Sequence, residues 1–151
     1  MKNVIMILTI LIGGYLVLTG IDALLVDTTI DWQLRGRISL ALVFLFTALG
    51  HFVQPEPMVE MLPPWVPGRL SIIYLTGLLE IAGAIGLLMP RLAWLAGLCL
   101  IAFLILVLPS NIYAAMKRVG MGGHKQGPAY LWLRVPLQLI LIGWTYWFAV
   151  R

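Results

Sequence analysis

The chain has 151 residues, of which 62% are hydrophobic and only 11% charged, with a mean hydropathy of +1.01. An ordinary soluble domain carries about 25% charged residues, so the composition excludes that class and leaves one compact multi-pass membrane unit. The formal charge of +4 would suggest nucleic-acid binding in a soluble protein, but its basic residues flank apolar segments, where they mark topology and lipid headgroups.

Five membrane spans are expected. The first covers about residues 4–25; its apolar run is long for a signal peptide and no small-x-small cleavage site follows it, so it reads as a retained transmembrane helix. Residues 27–37 (DTTIDWQLRGR) read as a polar loop. The second span, about 38–53, is short and ends in Gly50-His51-Phe52. Residues 54–69 hold five prolines, which predict a stiff interfacial loop with at most one amphipathic turn, over 57–62, and Trp65 as a headgroup anchor.

The third span, 70–89, carries Glu80 near its middle. Pro90-Arg91 predicts a tight hairpin into the fourth span, 92–113, which Pro109 interrupts. A basic, glycine-rich loop over 117–128 leads to the fifth span, 129–150, with Arg134, Pro136 and Gln138 near its start and a rim of Trp144, Tyr146 and Trp147 near its end. Five positive residues on the N-terminal side against four on the other favour a cytoplasmic N-terminus.

A carboxylate at the depth of Glu80 costs about 2.5–3.5 kcal/mol to insert, so it calls for a partner, a proton or water. Alternation of the spans brings it neighbours. His51 ends the second span on the N-terminal side, Asn111 and Tyr113 end the fourth there, and Arg134 and Gln138 begin the fifth there. Nearly all the intramembrane polar groups therefore share one half of the bilayer. Thr47 and His51 are four apart and share a helix face, as do Arg134 and Gln138. Ile73, Gly77, Glu80 and Ala84 line one face of the third span, where small residues admit a close neighbour. Pro109 and Pro136 free the carbonyls of Ile105 and Trp132, and two kinks on one side are expected to splay the helices and open a cavity.

Plainer readings stand beside this one. Glu80 and Arg134 can form a structural ion pair, Gln138 can be interhelical glue, and His51 can be an interfacial hydrogen-bonder. Asp22, Asp27 and Asp31 read as a solvated loop rather than a cation site, and His124 as a solvated loop residue. The lone Cys99 excludes an internal disulfide or dithiol pair. Two histidines, one of them in a span, argue against bis-histidine haem. No HExxH, Cys–His cluster, phosphate loop or dinucleotide fingerprint is present. No catalytic residue and no metal ligand is assigned; redox chemistry would need a borrowed cofactor.

The ordered set His51-Phe52, Pro63-Pro64, Gly77-x-x-Glu80 with Gly86-Leu87-Leu88 and Pro90-Arg91, then Pro109-Ser110-Asn111-Ile112-Tyr113 and Arg134-x-Pro136-x-Gln138, resembles the DoxX-like integral membrane protein family over residues 37–147. Ala48 departs from it, the family often having glycine three residues before its His-Phe motif. The resemblance implies an all-α four-helix membrane bundle, here residues 35–151, with residues 1–34 as an added transmembrane helix and polar loop. It also implies a link to membrane oxidoreductase systems, including a thiosulfate:quinone oxidoreductase subunit and oxidative-stress complexes, while distant relatives are membrane chaperones or cargo receptors.

The expected function is therefore binding of a hydrophobic, polar-headed molecule, such as a quinone, by an accessory subunit of a membrane redox system. Such a chain is expected to carry no intrinsic cofactor beyond a bound quinone, and enzyme activity of the isolated chain stays open, with the balance leaning against it. His51, Glu80, Asn111, Arg134, Gln138 and Thr47 form the polar cluster, with Tyr74, Tyr113 and Trp65 at the cavity mouth. Expected partners are the lipid bilayer and a membrane oxidoreductase or a second copy of the chain, in a bacterial inner membrane. A non-enzymatic scaffold or chaperone is the alternative, and a small-solute transporter, lacking an inverted repeat, a third reading.

Overall fold

The structure, a computed structural model, describes residues 2–24, 30–119 and 124–151. Leu25 and Asp27, which figure in the sequence reading, lie outside the described residues, as does the side chain of His124. All regular structure among the described residues is helical, and five helices are long and apolar enough to cross a membrane: α1 Lys2–Leu24, α2 Trp32–Val53, α4 Arg69–Leu88, α5 Ala93–Met116 and α6 Lys125–Val150. A short helix, α3 Pro55–Val59, lies in the proline-rich connection.

Contacts fix the direction of each helix. Asp22 meets Arg35 and Gly14 meets Ser39, so α1 and α2 are antiparallel. Gly83 packs on Leu100 and Gly86 on Ala96, making α4 and α5 the hairpin that Pro90-Arg91 predicts. Asn111 reaches Arg134 and Gly97 reaches Ala149, so α6 returns antiparallel to α5. Lys2, the 54–68 connection and the end of α5 therefore share one face of the bundle, called here the loop face. Leu11, Leu40, Phe44, Leu87, Leu100 and Leu137 meet in the core.

Three boundaries differ from the sequence reading. First, α2 begins at Trp32, so Arg35, Gly36 and Arg37 are helical rather than loop. Their polarity hides a turn held by neighbours: Arg35 pairs with Asp22 at 3.4 Å, and the Trp144 indole N–H donates to the Gly36 carbonyl at 3.1 Å. Second, α5 runs through Pro109 to Met116, and α6 is likewise helical through Pro136. Around Pro109 two side-chain amides reach the helix carbonyls, Asn111 donating to Val107 at 3.0 Å and Gln138 to Leu104. Those carbonyls flank Ile105, the one expected to be freed. Third, the turn in the proline segment begins at Pro55 rather than 57; proline suits a first helical turn, where its missing N–H has no partner to lose.

Candidate functional site

Gly77 sets the site. A Cβ at this position would lie 2.8 Å from the His51 Cβ and 3.0 Å from the Phe52 ring, closer than side-chain contacts allow, so only glycine lets α2 and α4 approach this near. That approach places the His51 imidazole against α4. Its Nδ1 lies 2.9 Å from the Ile73 carbonyl and 3.1 Å from the Thr76 hydroxyl, while Thr76 itself donates to Ile73 at 2.8 Å. One turn deeper on the same face, Glu80 presents Oε2 3.7 Å from His51 Nε2.

Glu80 is 94% buried (6% exposed), and its Oε2 has no hydrogen-bond partner. The Thr47 hydroxyl and the Arg134 guanidinium are the other polar groups close enough to act on the carboxyl. Thr47 also donates within its own helix, to Val43 and Phe44. Arg134 commits its Nε–H to Asn111 Oδ1 at 3.2 Å, and it stands beyond ion-pair distance of Glu80; among the described residues Asp22 pairs with Arg35, and Glu80 has His51, charged only when protonated, at 3.7 Å. The structural pair read as Glu80–Arg134 is thus divided. Asn111 holds the guanidinium, and His51 faces the carboxyl.

These groups border a cavity of about 720 Å³ in the loop-face half of the bundle. Of the nine residues expected to form the site and its mouth, His51, Glu80, Asn111, Arg134 and Thr47 line it. Gln138 is buried beside it and spends its amide N–H on the Leu104 carbonyl, so it ties α6 to α5 instead of facing a ligand. Tyr74 stacks on Phe52 with ring centroids 5.9 Å apart, off the cavity wall. Tyr113 and Trp65 also lie outside the lining, Trp65 being exposed to the surroundings.

Sequence reasoning missed part of the wall. Asn3, Val4, Met6 and Ile7 of α1 line the cavity, and so do Met58 and Met61 of the proline connection. Apart from Asn3, these are apolar side chains among many, and nothing in their spacing separates a wall position from a lipid-facing one. Tyr130 also lines the cavity, and a polar aromatic so close to Arg134 was a signal that could have been used. Several lining side chains, among them Leu49 of α2 (58%), Leu79 of α4 (50%) and Leu106 of α5 (75%), are also exposed on the bundle surface.

Such a chamber offers largely apolar walls and a cluster of polar groups. Its volume matches small-molecule sites, which span about 300–1,000 Å³. Among the described residues no group of three or more His, Cys, Asp or Glu could hold a metal ion. No curated protein and no solved structure matches the chain. A family model does match, over residues 40–149, and the chain belongs to that family, described as Domain of unknown function (DUF8561).

Proposed function

We propose that this chain is a multi-pass membrane protein of DoxX-like kind that binds a hydrophobic, polar-headed molecule, quinone-like in size and chemistry, as an accessory subunit of a membrane redox system. The observation that carries the reading is the cavity of about 720 Å³, apolar on most sides, with the unpartnered Glu80 Oε2 at its polar end. An unsatisfied buried carboxyl oxygen is expensive in a bilayer. A ligand head group that hydrogen-bonds it would remove that cost. A wall built in part from side chains that also reach the bundle surface, such as Leu49, Leu79 and Leu106, suits a molecule that arrives dissolved in lipid. The ordered motifs around His51, Glu80, Asn111 and Arg134 supply the link to quinone-using systems through the DoxX-like resemblance.

Native mass spectrometry of the gently extracted protein tests this directly. The wild-type chain is expected to carry a lipid-soluble adduct that is lost in Arg134→Met, and the stripped protein to take up an added short-chain quinone. A bare mass with no uptake, together with a stoichiometric protein partner, would instead establish a scaffold.

A further inference from the structure

The hydrogen-bond inventory around His51 sharpens the chemistry of the head group, and this inference rests on the reading of the cavity as a ligand site. A carbonyl oxygen can only accept, so His51 Nδ1, 2.9 Å from the Ile73 carbonyl, carries the hydrogen. In a neutral imidazole Nε2 is then a bare lone pair, and it lies 3.7 Å from Glu80 Oε2. That separation is too long for a direct hydrogen bond, whose heavy atoms stand about 2.7–3.2 Å apart. It does leave room for one bridging atom within hydrogen-bond reach of both. Oε2 has no other partner.

What can bridge depends on the protons the pair holds. With no proton on either atom, a hydroxyl donates to one of them and a carbonyl to neither. With one proton, on Glu80 or on His51, a hydroxyl accepts from the protonated atom and donates to the other. A carbonyl in the same place accepts once and turns its remaining lone pairs on an acceptor. The hydroxyl is therefore the better fit in each case.

We propose that the Glu80–His51 pair selects a ligand whose head group is a hydroxyl: a hydroquinone or phenol in preference to the corresponding quinone. Arg134, on the same cavity wall and anchored by Asn111, supplies donors to a second oxygen of such a ring.

The test uses the full chain in lipid nanodiscs, with a short-tailed benzoquinone and its hydroquinone as matched probes. Binding is followed by calorimetry under anaerobic conditions. Sites built around a substrate hydroxyl discriminate strongly against analogues lacking it, so the hydroquinone is expected to bind about tenfold tighter or more. Glu80→Gln puts an amide that both donates and accepts opposite Nε2, and is expected to shrink the preference to within about threefold. If that variant does not extract folded, His51→Gln probes the same pair. Equal affinities in the wild type, as expected if water bridges the pair, or a tighter quinone, overturn the hydroxyl selection and leave the cavity reading standing. Failure of both probes to bind overturns the two together.

Discussion

The two ends of this bundle are built from the same helices and solve opposite problems. At the loop face, helices stand apart around a chamber that collects the polar residues His51, Glu80, Asn111 and Arg134. At the other end, Tyr15, Trp32, Trp144 and Phe148 interlock, with Trp144 and Phe148 centroids 4.8 Å apart and Tyr15 edge-on to Trp144 at 5.6 Å. Lipid tails are as apolar as leucine, so helices in a membrane associate through close packing rather than through escape from water. Gly36, Gly83, Gly86 and Gly97 supply that packing at the closed end. The difference teaches where stability and function reside: the closed end holds the helices together so that the open end can keep an unfilled volume.

The largest test strikes the closed end. A Cβ on Gly36 would overlap the nearest atoms of the Phe148 ring, so Gly36→Ala must displace that ring and the aromatic packing around it. Overpacking of this kind costs about 3 kcal/mol, and a large loss of thermal stability in detergent is expected. Gly20→Ala, with nothing near its added methyl, is the matched control and should be neutral or slightly stabilising. Equal stability of the two variants would mean that the aromatic end is not what holds the bundle.

At the open end the sign reverses. Glu80→Leu removes a buried carboxyl whose Oε2 is unpartnered, and relief of that unsatisfied desolvation is expected to stabilise by about 1–3 kcal/mol. Melting temperature is therefore expected to rise while binding of a short-chain hydroquinone is lost. A fall in stability would instead make the polar cluster a structural strut.

How much of this contrast could be read from the sequence depends on the residue. Spans are plain because twenty apolar residues cannot hide, and Glu80, His51, Asn111, Arg134 and Thr47 stand out because each is costly where it lies. The start of α2 is not plain, since Trp32 to Arg37 is polar and gains its helix from Asp22 and Trp144, far away in the chain. Gln138 looks like a site residue by the same logic of cost, yet only a position in space shows its amide spent on Leu104. The aromatic closure joins residues 15, 32, 144 and 148, and along the chain they resemble ordinary interfacial aromatics. The α1 wall is silent for a simpler reason: an apolar side chain facing a cavity has the composition of one facing lipid.

That wall gives a third test. Met6 lines the cavity from α1, outside the residues matched by the family, and is partly exposed, so a larger side chain can be accommodated by the fold. Met6→Trp is expected to weaken hydroquinone binding about tenfold, the equivalent of about 1.4 kcal/mol, with little change in melting temperature. Unchanged affinity would remove α1 from the site and confine binding to the polar residues of α2, α4, α5 and α6.

The smallest effect asks whether the two ends are independent. Trp144→Phe keeps a ring against Phe148 and Tyr15 but deletes the indole N–H that donates to the Gly36 carbonyl. One such hydrogen bond contributes about 1 kcal/mol, so a modest drop in stability is expected. Ligand affinity should not move, because Trp144 does not line the cavity. The outcome is informative because α2 runs from Gly36 at one end to His51 at the other. A helix that transmits the disturbance would shift His51 relative to Glu80 and change the 3.7 Å gap on which hydroxyl selection depends. Loss of discrimination between hydroquinone and quinone in Trp144→Phe would therefore show that the closed end also tunes the site.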